Sequence, residues 1–464
     1  MDPHAREIRK QFVALVWPLI IQNILYMLMF HIDTAMVGRL NDVALAAMAI
    51  VGPINWTIMM VAMGLSIGTV VTVARSVGEK NPVRAATLAA TSYMVGLGAS
   101  VVATIFVLLT CHKITALFIN DQRVISEANG YLKIIYVFFF FNYISMIGGS
   151  ILQASGDTRT PMVITGFTNM LNVVGNYLLI YGKGGFPALG LFGAGLSTGI
   201  CKTVEGTIMT IYLFSPRSKI RLHWSYFRKI TKESVRELLK VSIPASTEPF
   251  FVNTGFLVFT KIVALLGTTA MAANRVANAI ESISFMPGHA FSSACATMVG
   301  QKYGERSPKG IELTVRQSLK VSLSVMSGFG VLFLIIPSFL AKIFTNDHKL
   351  IALASVCIMI GAAEQPFLAS VQILKGAFQG TGDTRRPIII GAIGVWGPRL
   401  IFSYLLGIHF KLGLPGIWIA TTTDWFTRAC LYFWSYRRKK RHFYEYLKKP
   451  ELPITHEESY PMPK

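Results

Sequence analysis

Charge is scarce in this chain. Of 464 residues only 14% are Asp, Glu, Lys or Arg, where a soluble chain carries about 25%. Acids are the rarer sign, 23 against 44 Lys and Arg. The five cysteines (Cys111, Cys201, Cys295, Cys357 and Cys430) are odd in number, scattered and without CxxC spacing. They imply neither a disulfide framework nor a zinc site. Catalytic signatures are missing as well. No GxxxxGK[ST] phosphate loop, HExxH, nucleophile elbow or Asp-rich metal motif occurs. ATP is therefore not the expected energy source, no cofactor is implied, and the chain does not read as an enzyme. GKGGFPALGLFGAG is glycine-rich but lacks the Lys-Ser/Thr pair. No pore-loop segment is visible, which argues against a channel. No cleavable signal peptide is read, because the first apolar segment is too long and has no small-residue cleavage site.

Apolar sequence is abundant, at 52% of residues with mean hydropathy +0.50. It comes in long runs such as VFFFFNYISMIGGSILQ and VSLSVMSGFGVLFLIIPSFL. A helix needs about 20 such residues to cross a bilayer core of roughly 30 Å. About twelve spans can be placed, centred near residues 26, 60, 99, 142, 171, 202, 252, 285, 327, 365, 398 and 426. They are rich in Gly, Ala and Ser, which let helices approach closely in lipid. The expected fold is thus an all-α polytopic membrane protein.

The net charge of +21 is distributed as membrane topology requires, which argues against nucleic-acid binding. With a cytoplasmic N-terminus, cytoplasmic segments hold roughly 30 Lys and Arg and outer loops roughly 8. Both termini are then cytoplasmic. The largest basic blocks, SPRSKIRLHWSYFRKITKESVRELLK and SYRRKKRHFYEYLKK, are expected to meet anionic lipid heads.

GDTRTP at 156–161 recurs as GDTRRP at 382–387, 226 positions later. The same offset relates Trp17-Pro18 to Ile243-Pro244, GEKNP (78–82) to GERSP (304–308), LFIND (117–121) to IFTND (343–347), and Gly190 to Gly416. The chain therefore reads as a duplicated six-helix unit. Residues 1–214 form the first bundle, 215–238 a basic cytoplasmic linker, 239–437 the second bundle, and 438–464 a basic tail. An even number of crossings per unit gives a pseudo-two-fold axis along the membrane normal. A chain that contains its own duplicate is expected to be a monomer. The GDTR turns join the fourth span of each unit to the fifth. Gly156 and Gly382 permit a tight turn, Asp157 and Asp383 favour it, and Pro161 and Pro387 suit the next helix's first turn.

Several segments, in this order, resemble the multidrug and toxic compound extrusion (MATE) family over about residues 10–437. They are DTAMVGRL (33–40), the paired GDTR turns, NMLNVVGNYLLIYG (169–182), GLFGAGLST (190–198), IESISFMPG (280–288) and MVGQKYGE (298–305). The resemblance implies a V-shaped pair of bundles whose central cleft opens alternately to each side. It also implies export of organic, cationic and amphipathic compounds from the cytoplasm, across the cell's inner membrane, in exchange for H⁺ or Na⁺. Distant relatives of this fold flip lipid-linked oligosaccharides. That alternative calls for a strongly cationic cleft, and intramembrane bases are few here.

Ionisable residues inside the membrane are costly unless paired or hydrated, so each is a candidate site. Asp424 and Arg428 (i,i+4) and Lys202 and Glu205 (i,i+3) read as self-paired. Asp33 has no basic residue one turn away on its own face. Such a carboxylate can hold a proton near neutral pH, or Na⁺ if other oxygens join it. The alternative is an Asp simply hydrogen-bonded to Asn172 or Thr198. The family resemblance places a cation-coupling Asp here, joined by an Asn and an Asp on helix five and a hydroxyl on helix six. These correspond to Asn172, Asn176 and Thr198, so Asn176 replaces a carboxylate.

In the second half, Glu248, Glu281 and Glu364 lie on spans seven, eight and ten. They match the family's C-half acids by helix rather than by position. They read equally as a coupling or cation-binding group and as a bundle-stabilising network. Lys261 and Arg399 are placed to neutralise them, Arg399 to orient a neighbouring acid, and Arg275 lies six residues before Glu281. The 19 methionines and the aromatics suit a tolerant cavity or ordinary packing. Pro53, Pro244, Pro249, Pro287 and Pro398 are positioned to kink their helices.

Overall fold

A computed structural model describes residues 3–448, with side chains described through residue 439. Residues 449–464 of the basic tail lie outside the described residues. Among the described residues the chain is helical, without strands. In the first half the long helices are α1 Pro3–Val37, α2 Asp42–Gly78, α3 Pro82–Ala116, α4 (Gln122–Val137 continued by Phe139–Ala154), α5 Arg159–Tyr181 and α6 Gly190–Phe214. The second half runs α7 Lys232–Ala264, α8 Thr268–Gly304, α9 Pro308–Ile335, α10 His348–Gly380, α11 Arg385–His409 and α12 Gly413–Lys448.

Seven of these (α1, α2, α3, α5, α9, α10 and α11) are long and apolar enough to cross a bilayer, and the bent α4 makes an eighth. The chain is therefore a multi-pass membrane protein. The remaining four, α6, α7, α8 and α12, are 25 to 37 residues long but more polar. They carry Lys202, Glu205, Glu248, Glu281, Asp424 and Arg428, so their lower hydropathy marks the buried polar groups taken up below.

The 226-residue offset is visible in local structure. Asn81 caps α3 by accepting from Arg84 N, and Ser307 caps α9 by accepting from Gly310 N. Asp121 and Asp347 cap α4 and α10 in the same way. Each cap satisfies an orphan N–H of the first turn and is worth about 1 kcal/mol. Lys80 and Arg306 share positive φ, as do Gly156 and Gly382 at the GDTR turns. Asp157 and Asp383 each accept the N–H three residues on, closing the turn.

The helices run through Pro18, Pro53, Pro244, Pro249, Pro287 and Pro366. The 52° break in α4 lies instead at Phe138, where no proline stands. There the ring of Phe138 lies where a Cβ on Gly199 would sit, so a glycine on α6 makes room for the bend. Pro398 lies within a π-helical turn, Val395–Arg399, and a second π segment follows at Ser403–His409.

The halves share helices across their boundary. One apolar core runs from Val37 to Leu238. A second takes Ile8, Phe12 and Val16 of α1 together with Phe291, Cys295 and Tyr432. Phe12 stacks on Phe291 at 6.0 Å. Reciprocally, α7 lies on α2, with Ser246 and Ser242 against Gly64 and Gly68. The halves close tightest at the GEKNP and GERSP ends. A Cβ on Gly78 would sit 1.9 Å from Gln301 O, and one on Gly304 would sit 2.0 Å from Arg75 O. Positions 75 and 301 are themselves one repeat apart, so the same sequence offset relates the two contacts. Gln301 Nε2 donates to Ala154 O (2.9 Å), and Arg75 lies over the Tyr303 ring (4.7 Å). Arg84 reaches both Glu79 (2.6 Å) and Glu237 (3.0 Å).

Candidate functional site

In the first half, the four residues picked out in the sequence come together. Asn172 and Asn176 are one turn apart on α5 and both are fully buried. Asn176 Nδ2 donates to Asp33 Oδ1 (2.5 Å) and to Asn172 Oδ1 (3.2 Å). Asn172 Nδ2 donates to Thr198 Oγ1 (3.2 Å), and Ser197 Oγ donates to Asn172 O (3.2 Å). Asp33 thus starts an amide ladder across α1, α5 and α6, and it is the ladder's single acid. The ladder has one loose end. Asn176 Oδ1 is buried and has no hydrogen-bond partner among the described residues.

One turn further along α6, Lys202 Nζ binds Glu205 Oε2 at 2.6 Å, as the i,i+3 spacing suggests. The other oxygen of Glu205 accepts from Thr165 (2.9 Å) and Tyr26 (3.3 Å). Lys202 also lies over the Tyr26 ring at 4.9 Å. Sequence spacing revealed the ion pair but not Tyr26 and Thr165, which come from other helices.

The second half divides into three groups. Glu248 on α7 is bound by Lys375 Nζ of α10 at 2.5 Å. Together with Gln372, Tyr432 and Arg428 they line a cavity of about 40 Å³. Asp424 is fully buried and holds two arginines, Arg428 Nε at 2.6 Å and Arg399 Nε at 2.8 Å. Glu364 is also fully buried, and Thr421 donates to its Oε2 at 3.4 Å. Glu364 Oε1 is buried and has no hydrogen-bond partner among the described residues.

The three glutamates therefore do not form one group. Arg399 does orient an acid, and that acid is Asp424. Lys375, which sequence reading passed over, neutralises Glu248 from 127 residues away. Lys261 and Arg275 are exposed and form no ion pair among the described residues. Glu281, Ser282, Phe256, Trp418, Thr421 and Arg399 line a second cavity of about 220 Å³ between α7, α8, α11 and α12.

The sequence matches the MatE family model twice, over residues 18–178 and 244–405, and the two matches start one repeat apart. The chain belongs to the MatE family. A probable multidrug resistance protein NorM from Thermotoga maritima is 32% identical over 445 residues, covering 94% of each chain. An uncharacterized transporter, YisQ, of Bacillus subtilis is 26% identical and covers 92% of this chain and 93% of its own. Among solved structures, a MATE in the bent conformation superposes with TM-score 0.89 at 20% identity, covering 97% of this MatE chain and all of that one. A MOP superfamily transporter from Pyrococcus furiosus gives 0.87 at 20% identity, covering 94% and 97%. This MatE chain is accordingly a non-enzymatic efflux transporter acting on small molecules.

Proposed function

We propose that this MatE transporter is an antiporter that exports amphipathic organic compounds bearing a cationic centre in exchange for H⁺, with Asp33 as the proton-carrying group. The observation that carries this reading is the Asp33–Asn176 contact beside the unpaired Asn176 Oδ1. Ionised Asp33 needs donors, and the Asn176 amide supplies one. Protonated Asp33 needs an acceptor for its O–H, and Asn176 Oδ1 becomes that acceptor if the amide turns over. The two protonation states then demand two side-chain arrangements between α1 and α5. A bound ion shifts a conformational equilibrium only if it favours one state over the other, and this rearrangement supplies that difference.

Na⁺ is the rival ion. The oxygens of Asp33, Asn172, Asn176 and Thr198 would hold it. Asn176 stands where a second carboxylate would supply a metal cation with another anionic ligand, and its neutral amide favours H⁺.

In this account residues 1–214 and 239–437 rock against each other about the linker at 215–238. The basic, tightly closed GEKNP/GERSP end faces the cytoplasm of an inner-membrane protein, with both termini on that side. The basic linker lies against anionic lipid, and the monomer is the working unit.

The test uses purified protein in liposomes with a fluorescent organic cation. A pH gradient and a Na⁺ gradient are imposed separately on wild type and Asp33→Asn. Dye movement driven by the pH gradient and lost in Asp33→Asn is expected. Movement driven by Na⁺ alone would make Na⁺ the coupling ion. Pumping that survives in Asp33→Asn would move coupling to the second-half acids.

A further inference from the structure

We propose that the smaller cavity of the second half, about 40 Å³ between α7, α10, α11 and α12, is a binding site for a small monovalent anion of chloride size. Such a site stands apart from both the exported compound and the coupling ion. Glu248 of α7, Gln372 and Lys375 of α10, Gly391 of α11, and Arg428 and Tyr432 of α12 line it. Glu248, Gln372, Arg428 and Tyr432 are each more than nine-tenths buried.

Charge points to an anion. Lys375 Nζ holds Glu248 Oε1 at 2.5 Å. Asp424 is shared by two bases, Arg428 and Arg399. The group therefore sets three bases against two acids, and Glu281 and Glu364 form no ion pair with any of the three among the described residues. A buried charge needs a partner, and the uncompensated one here is positive. Hydrogen bonding agrees. Arg428 spends Nε and Nη2 on Asp424, and its Nη1 makes no hydrogen bond among the described residues. Lys375 carries three N–H and gives one to Glu248. The Tyr432 hydroxyl and the Gln372 amide make no hydrogen bond among the described residues either. Water would meet those donors and leave the charge unbalanced. An anion does both.

The repeat supplies a comparison. Gln22, Gly149, Thr165 and Lys202 stand one repeat before Glu248, Lys375, Gly391 and Arg428. There Lys202 holds its own acid, Glu205, at 2.6 Å. Thr165 donates to that acid at 2.9 Å and accepts from Gln22 at 3.2 Å. One base meets one acid, and a threonine side chain stands where Gly391 has none. In the second half two bases, Lys375 and Arg428, face one acid, with glycine in place of threonine.

Size selects the ion. A water needs about 10–15 Å³ of such volume, so 40 Å³ seats a halide and excludes an oxyanion as large as methanesulfonate. Lys375 lies roughly 10 Å along α10 from the GDTR turn. Its side chain is 23% exposed, which gives the ion a way in.

The test uses the purified full chain in detergent and chloride-free gluconate buffer. Gluconate is replaced by chloride, bromide or methanesulfonate at constant ionic strength, and the unfolding temperature is read. Chloride and bromide should raise it saturably, and methanesulfonate should not. Gly391→Thr, which installs the first half's side chain and alters no charge, should lose the rise. Glu248→Gln should instead lower the half-saturating chloride concentration about tenfold, because a like charge is gone. That gain is a result a misfolded variant cannot give. No rise with chloride, an equal rise with methanesulfonate, a response unchanged in Gly391→Thr, or a weaker one in Glu248→Gln would overturn the site.

Discussion

The two halves repeat each other's backbone and exchange each other's chemistry. At one repeat apart, Asp33 corresponds to Phe259, Asn172 to Pro398, Asn176 to Phe402, Thr198 to Asp424 and Lys202 to Arg428. In the first half the acid stands on the opening helix and the hydroxyl on the closing one. In the second half an aromatic stands on the opening helix and the acid on the closing one. The first-half acid accepts a hydrogen bond from an amide and has no ion-pair partner among the described residues. The buried acid of the second half, Asp424, is held by two guanidinium groups. Duplication preserved caps, turns and glycine contacts, because the packing of the halves on each other needs them. It left the interior polar groups free to diverge, into an amide ladder around one acid in the first half and an acid held between two arginines in the second.

The sharpest way to break this contrast is to remove the fixed acid. Asp424→Ala leaves Arg399 and Arg428 buried without their partner. Breaking a buried ion pair in this way costs about 3–5 kcal/mol, so thermal unfolding in detergent should shift down strongly. The same loss at Asp33 should be far smaller, because no buried cation depends on it.

A second disturbance acts at the shared seam. Gly304→Ala puts a methyl against Arg75 O, and Gly78→Ala does the same against Gln301 O. Overpacking of this kind costs about 1–3 kcal/mol. If the seam seals the cytoplasmic side, either change should favour the cytoplasm-open state. Spin labels at exposed Lys80 and Lys309 should then report a longer distance. An unchanged distance would separate these glycines from the sealing step.

Asn176→Asp sharpens the comparison instead of breaking it. A second carboxylate beside Asp33 adds a negative charge for a metal cation. Transport should gain a Na⁺ response, with affinity rising about tenfold. If the variant responds only to pH, the amide's charge is not what selects the ion.

The smallest effect belongs to Arg84 and Glu237. Their side chains are 39% and 32% exposed. Pairs of that kind contribute about 0–1 kcal/mol. Arg84→Ala should leave the melting temperature nearly unchanged.

Much of the architecture was legible because the repeat has a constant offset and because apolar runs count crossings. The first-half cluster was legible for a related reason. Asn172 and Asn176 share one helix face, and Asp33 stands alone in its span. The second half resisted because its partners come from distant helices. Nothing near Glu248 announces Lys375, and the arginine expected to serve the glutamates serves Asp424. A lysine inside VQILKGAFQG, deep in an apolar run, was the available signal. The helix count was harder to read where it mattered most, since the polar helices α6, α7, α8 and α12 are less apolar than the rest.

The division of labour between the halves is tested most directly by running two assays on the same vesicles. One is gradient-free exchange of labelled substrate across the bilayer, and the other is accumulation driven by a pH gradient. Asp33→Asn is expected to keep exchange and lose accumulation. Accumulation that persists in Asp33→Asn, or exchange that vanishes with it, would contradict the assignment of ion coupling to the first half.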